Sequence, residues 1–269
     1  MSLVELTDQD FSYFQQMIHN VAGISMPASK KTLVVSRLSK RLREYQVNSF
    51  SEYLKLLRSN EYPHELQTVI DLLTTNETYF FREPKHWHFL REHLSKLDHQ
   101  SKPFRIWSAA CSSGQEPYSI AMMLEDLLGP RPWEVMASDL STRMLAKATQ
   151  GLYPISEAES IPKHYLKNFC LKGVGSQSGS FLIARSLREK IRFFQCNLNT
   201  AVPNIGEFDV IFLRNVMIYF DADTKRQVVK RLFNVLKPGG YFLIGHSEGL
   251  NGINDDLRMI APAIFHKKE

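Results

Sequence analysis

Cysteine is scarce in this 269-residue chain: three residues, Cys111, Cys170 and Cys196, far apart and with no C-x-x-C pair. The odd count, with no basic run and apolar core in Met1-Ser-Leu-Val-Glu-Leu-Thr7, points to reduced thiols in a cytoplasmic protein. No metal site is expected. No apolar stretch is long enough to span a bilayer, so no membrane insertion is expected. Internal repeats and low-complexity tracts are missing too. Charge of one sign is not dominant: 33 Lys and Arg stand against 28 Asp and Glu, for a net charge of +5. That excess alone fits nucleic acid, an acidic membrane surface or an acidic protein partner, so the position of the charges matters more than their sum. At 43% hydrophobic, the chain can build one large core, or one large and one small.

Residues 7–75 read as all-helical. Phe11, Phe14, Ile18 and Val21 recur at helical spacing, with Thr7 as N-cap, Asp10 three residues on and Gly23 as the stop. Further helices are expected from Ser29 to Tyr45, Phe50 to Leu57, near Pro63 to Leu73, and Pro84 to Leu97. The pattern then alternates. Strands at Phe104–Ala109, Trp133–Ser138, Ile191–Gln195, Phe208–Leu213 and Tyr241–Gly245 are interleaved with helices at Glu116–Leu128, Thr142–Gln150 and Thr224–Leu236, which implies βαβ units and a parallel sheet. Lys237-Pro-Gly-Gly240 reads as a turn, and Met259 to His266 as a single returning strand. Between 152 and 190, a short helix, the glycines at 173, 175 and 179 and the strand-like Ser180-Phe-Leu-Ile-Ala184 suggest an inserted antiparallel β-subdomain. The expected division is 1–75 helical, 76–103 a linking segment and helix, and 104–269 the sheet domain carrying that insertion.

Several residues sit where such a sheet places chemistry, beyond the carboxyl ends of its strands. The turn after Phe104–Ser108 holds one glycine, Gly114, not G-x-G-x-x-G, so a dinucleotide fingerprint is not supported. Glu116 opens the next helix, where a carboxylate is favoured by the helix dipole as well as available to a ligand. Asp139 ends its strand and offers two acceptors suited to vicinal hydroxyls, or an N-cap for the helix after Ser141. Asn197, in Cys196-Asn-Leu-Asn199, has the donors and acceptor that suit an adenine edge, or a turn. In the helix Ser29–Tyr45, Lys30, Arg37, Lys40 and Arg41 lie beside the apolar stripe of Val34, Leu38, Leu42 and Tyr45, as an ordinary solvated face or a lopsidedly cationic one.

Three stretches together carry a resemblance: Asn76-Glu-Thr-Tyr-Phe-Phe-Arg82, Trp107-Ser-Ala-Ala-Cys-Ser-Ser-Gly-Gln-Glu-Pro-Tyr118, and Phe208-Asp-Val-Ile-Phe-Leu-Arg-Asn-Val-Met-Ile-Tyr-Phe220. In order and spacing they resemble the CheR family, the chemotaxis receptor methyltransferases, over nearly the whole chain. Ser113 and Gln115 depart mildly from the family's usual Thr and Glu. The resemblance implies an α/β, Rossmann-like methyltransferase sheet with an N-terminal helical domain. It implies S-adenosylmethionine as cofactor, S-adenosylhomocysteine as product, and glutamate side chains of chemotaxis receptor cytoplasmic domains as substrate. It also implies cofactor contacts at Asn76, Thr78, Arg82, Glu116, Asp139, Asn197, Leu198, Asn215 and Val216. Arg82 and Tyr219 become catalytic, and the helix bearing Arg37, Lys40 and Arg41 faces the acidic receptor. A receptor C-terminal peptide is a further candidate partner, adding as a strand to the β-subdomain. A monomer is expected.

Two other functions compete. A nucleic-acid methyltransferase would suit the net charge. However, D/N-P-P-Y/F does not follow Phe208–Leu213, the cysteines are not preceded by proline, and no aromatic-basic stacking platform is present. A non-catalytic cofactor-binding adaptor would be favoured by loss of Arg82 or Tyr219, and both are retained.

Overall fold

The computed structural model describes residues 4–59, 61–97 and 102–269. The first three residues of the N-terminal stretch, and residues 98–101 of the expected link, lie outside them. The chain divides into a helical unit, Met1–Thr75 with Tyr219–Thr224, and a sheet unit, Asn76–Ile218 with Lys225–Glu269.

The helical unit begins with α1 (Asp8–Ala22). The Thr7 side chain accepts from the Asp10 N–H, and Gly23, at φ +71°, closes the helix in the left-handed conformation that glycine adopts without cost. Next come α2 (Lys31–Glu44), α3 (Phe50–Arg58) and α4 (Glu65–Leu73). Phe14, Ile18, Val34, Leu38, Phe50, Tyr53 and Val69 are fully buried. Arg37 and Arg41 of the expected cationic face both bond within the helical unit. Arg37 Nη1 donates to the carbonyls of Leu72, Leu73 and Thr74 at 2.8–3.2 Å, satisfying the C-terminal end of α4. Arg41 pairs with Glu65, a carboxylate that also accepts from the Tyr45 and Tyr53 hydroxyls. Lys40 alone of the three is exposed.

In the sheet unit, α5 (Pro84–Ser95) precedes an alternating series: β1 (Phe104–Ser108), α6 (Gln115–Leu128), β2 (Trp133–Asp139), α7 (Thr142–Gln150), then the inserted β3 (Leu152–Pro154), α8 (Lys163–Phe169), β4 (Cys170–Lys172), β5 (Ser180–Ile183) and α9 (Arg185–Arg188). The main sheet resumes with β6 (Ile191–Gln195) and β7 (Phe208–Leu213), followed by α10 (Ala222–Asn234), β8 (Leu236–Ile244), β9 (Leu257–Ala261) and β10 (Ile264–Lys267). Strand order is β6-β2-β1-β7-β8-β10-β9, with β10 antiparallel to β8 and the strands from β6 to β8 parallel. The insertion is a separate antiparallel sheet, β3-β5-β4.

Two details differ from expectation. The strand β8 starts at Leu236 and runs through Lys237-Pro-Gly-Gly240, because a register shift opposite Phe208–Val210, with Gly239 at φ +73°, accommodates the glycines as an irregularity rather than a turn. The expected single last strand is a hairpin, β9 and β10, with Ala263 at φ +62° in its turn. Central strands β1, β2 and β7 are buried almost throughout, as expected when helices cover both faces. Strand order reverses at β1, whose neighbours are β2 and β7, and ligands bind open sheets at such a switch point.

Candidate active site

Asp139, the last residue of β2, is buried, and both of its oxygens are fixed by backbone. Oδ2 accepts from the Ser112 N–H at 2.8 Å and Oδ1 from the Ser141 N–H at 2.9 Å. It is not the cap of α7. That role belongs to Ser141, whose hydroxyl accepts from the Met144 N–H. A carboxylate with two acceptor oxygens at a strand end suits vicinal hydroxyls. Ser112 stands at φ +47°, and its hydroxyl donates to the Asn76 carbonyl at 3.1 Å, so Asn76 and Asp139 meet through one residue. On the other flank, the Cys196 N–H donates to the Asp139 carbonyl, which sets Asn197 and Leu198 beside the same corner. The Asn197 carboxamide oxygen accepts from the Asn199 N–H at 3.0 Å, which makes it the turn residue the sequence allowed. The departing pair, Ser113 and Gln115, bond to each other, and Gln115 also donates to Glu157 of the insertion at 2.9 Å.

A second cluster lies beyond the end of β7. Arg214, with a side chain 2% exposed, donates through Nη1 to Glu116 at 2.8 Å, through Nε and Nη2 to Glu83 at 3.2 and 3.0 Å, and through Nη2 to the Arg82 carbonyl at 2.6 Å. The other oxygen of Glu116 accepts from the Ser108 hydroxyl at 2.7 Å. Sequence reasoning missed Arg214 and Glu83. The available signal was a charged residue directly after the buried run Val210-Ile-Phe-Leu213, since a charge delivered into a core must be paired. Burial pushes the Glu83 carboxyl up, but the charge of Arg214 and the His246 N–H outweigh it and hold Glu83 below the ordinary range.

Arg82 is pinned by its backbone and loose at its tip. Its carbonyl accepts from both Trp87 Nε1 and Arg214. Among the described residues its guanidinium bonds the Glu77 carbonyl, at 2.9 Å, and lies 5.6 Å from the centre of the Tyr79 ring. Most of its fork remains available to a carboxylate. Phe81 and Glu83 flank it at φ +54° and +63°, and Asn215 stands at φ +56°. Left-handed backbone costs non-glycine residues about 1–2 kcal/mol each and gathers at functional sites. Here the Ser119 hydroxyl holds the Phe81 N–H, and the Asn215 side chain reaches Glu83 at 3.4 Å. Thr78 and Val216 are half-buried in the same two segments. Tyr219 belongs to the helical unit, where its carbonyl accepts from the Ser25 N–H at 2.7 Å.

Glu83, His86 and His246 bring ligand-type atoms within 4.8 Å of one another. A cation there would compete with Arg214 for Glu83 and would sit at the N-terminus of α5, where the helix dipole opposes it. His86 is fully buried with neither ring nitrogen hydrogen-bonded, and burial with the nearby Arg214 charge pushes its pKa down to about 3. It is therefore a neutral imidazole. Burial pushes the Cys111 thiol well up, so it is no nucleophile.

The comparisons with known proteins agree across the chain. Residues 9–74 match the CheR methyltransferase all-alpha domain, and residues 76–265 match the CheR methyltransferase SAM binding domain. The Escherichia coli chemotaxis protein methyltransferase is 41% identical over 97% of this chain and 91% of its own length. Chemotaxis protein methyltransferase 2 of Pseudomonas aeruginosa is 40% identical over 96% and 93%. The Salmonella typhimurium chemotaxis protein methyltransferase is 39% identical over 97% and 90%.

Proposed function

The chain belongs to the CheR methyltransferase family, and on that premise we propose that it methylates glutamate side chains of chemotaxis receptor cytoplasmic domains, forming γ-methyl esters. Both the nucleic-acid and the adaptor readings give way to this one. The observation that carries it is the Asp139 corner: a buried carboxylate held by two backbone N–H groups at the sheet's switch point, beside Asn76 and Asn197. This donor and acceptor set fits a nucleoside with two ribose hydroxyls and an adenine edge.

S-adenosylmethionine, when bound, supplies an electrophilic methyl group on a cationic sulfur. Asp139 accepts from the ribose hydroxyls, Asn197 and Leu198 flank the adenine, and Glu116 accepts from the methionine amino group. Asn76, Thr78, Asn215 and Val216 line the remainder. The substrate glutamate needs no base, because with an ordinary pKa of about 4.3 it is already ionised. Alignment is the main task and is worth several kcal/mol. Arg82 orients a carboxylate through its fork, and Tyr219 assists with a hydrogen bond. Too tight a grip on the nucleophile would stabilise the ground state and slow attack.

No helix among the described residues is long and apolar enough to cross a membrane. A second contact is the edge strand β4 of the inserted sheet, with Leu171 and the following Val174 exposed. A receptor C-terminal peptide adds there as a further strand.

Calorimetry on Asp139→Ala tests the cofactor assignment. Losing acceptors at a buried polar site costs about 1–3 kcal/mol, so affinity for S-adenosylmethionine falls roughly tenfold to a hundredfold. Unchanged affinity in the folded variant removes the ribose role from Asp139.

A further inference from the structure

Beyond the end of β8, the chain turns back through Gly245-His-Ser-Glu248, and the Glu248 carboxylate lands on the segment that follows β7. Oε2 accepts from the Asn215 N–H at 2.9 Å and from the Gly245 N–H at 2.7 Å. Oε1 accepts from the Ile218 N–H at 3.3 Å. One carboxylate thus satisfies three backbone donors. Two of them lie in the turn that sets Asn215 in the left-handed conformation and opens the 3-10 helix Met217–Tyr219. The first N–H groups of any helical turn lack partners within it, and a short one has no length to compensate. Here the partner comes from 30 or more residues away in sequence.

Gly245 is part of the same device. A Cβ there would lie 2.5 Å from Asn215 Nδ2 and 2.9 Å from Glu248 Oε2, so only glycine lets the two loops approach this closely. Asn215 contributes the residue type that best tolerates left-handed backbone.

We infer that Glu248 is a positioning residue for methyl transfer: it sets the conformation of the turn that presents Asn215 and leads into Tyr219. It touches neither reactant, and the inference rests on the roles proposed above for those two residues. Its anionic form is the working one, since a protonated carboxyl would turn one acceptor oxygen into a donor facing N–H groups. The Arg214 cluster meets the same turn only through side chains, Asn215 Nδ2 reaching Glu83 at 3.4 Å, whereas Glu248 holds its backbone N–H groups.

Glu248→Gln, nearly isosteric, puts an NH2 group against those donors, and Glu248→Asp keeps the charge but shortens the reach. Amide hydrogen exchange of 215–218 is measured together with kcat at saturating cofactor, and with S-adenosylhomocysteine affinity. For Glu248→Gln, exchange in 215–218 rises at least tenfold over the unmodified protein, and kcat falls at least tenfold. The kcat loss exceeds the loss in cofactor affinity, since Asp139, Asn197 and Glu116 are untouched. Glu248→Asp falls between, and it decides the matter by the same readouts if the Gln variant does not fold. Unchanged exchange at 215–218, or raised exchange with unchanged kcat, overturns the inference. If the unmodified protein transfers no methyl group, the function fails and the positioning role fails with it, whereas the exchange result still reports whether Glu248 holds the turn.

Discussion

Each unit carries an arginine network, half-buried at Arg41 in one and buried at Arg214 in the other, and the two are used differently. In the helical unit, Arg41 of α2 meets Glu65 of α4, and the same carboxylate accepts from Tyr45 and Tyr53. Burial pushes Glu65 up, but Arg41 and the two phenols outweigh it and hold it below the ordinary range. Every partner in this set lies on or directly beside regular helix. In the sheet unit, Arg214 gathers Glu83, Glu116 and the Arg82 carbonyl, two of whose residues flank or occupy left-handed backbone, and fully buried His86 beside it has no hydrogen bond. The first network touches a single left-handed residue, Gln46 beside Tyr45 at φ +55°, whereas the second gathers Phe81, Glu83 and Asn215, with His86 Nδ1 3.3 Å from Glu83. Left-handed backbone held by surrounding bonds gathers at functional sites.

The largest expected effect separates the two arginines. Arg214→Met removes the one cation shared by buried Glu116 and half-buried Glu83, leaving them only neutral donors, and is expected to destabilise the sheet unit by about 3–5 kcal/mol. Arg41→Met leaves Glu65 with two hydroxyl donors, so the helical unit loses less, about 2–3 kcal/mol on the same reasoning. Denaturant unfolding read by hydrogen exchange in each unit measures both. Equal losses, or a greater loss for Arg41→Met, would erase the distinction.

An intermediate effect depends on pH. The His86 pKa is depressed from an ordinary 6.5 to about 3 in the folded state. The unfolded chain therefore binds the extra proton between those values. The contribution of His86 to stability is fully present above about pH 6.5 and is lost as pH falls toward 3, at up to about 1.4 kcal/mol per pH unit. Glu65, held below its ordinary value, keeps its contribution until pH falls into the carboxyl range, near 4.5, and loses it as pH drops further. Lowering pH from 7 to 5.5 should thus loosen the sheet unit before the helical one, and His86→Phe should flatten that slope. An unchanged slope in His86→Phe assigns the pH response elsewhere.

The smallest effect concerns α2. With Arg37 and Arg41 committed within the unit, docking charge on this helix falls to exposed Lys40 and Arg43. Reversing both to Glu should weaken receptor-fragment binding by about 0.2–1 kcal/mol per charge, and added salt should mimic the change. Salt-insensitive binding would leave α2 without a docking role.

What the sequence made legible was local. The cap Thr7, the stop Gly23, the alternation of strands and helices, and the strand-end position of Asp139 all follow from neighbours within a few residues. The Leu72–Thr74 carbonyls that hold Arg37 and the Glu65 that holds Arg41 lie 24 to 37 residues away, beyond the reach of local pattern. Arg214 and Glu248 escaped for the same reason, since their partners come from different loops. Lys237-Pro-Gly-Gly240 misled because glycine marks a bulge as readily as a turn, and only the register opposite Phe208 distinguishes them.

The most direct measurement is transfer of a radiolabelled methyl group from S-adenosylmethionine to purified receptor cytoplasmic fragments, with release by mild base. The account predicts label on glutamate, lost as volatile methanol in base, and turnover much reduced in Arg82→Lys, since an ammonium cannot reproduce the guanidinium fork. Base-stable label, label on another side chain, or near-normal turnover in Arg82→Lys would contradict it.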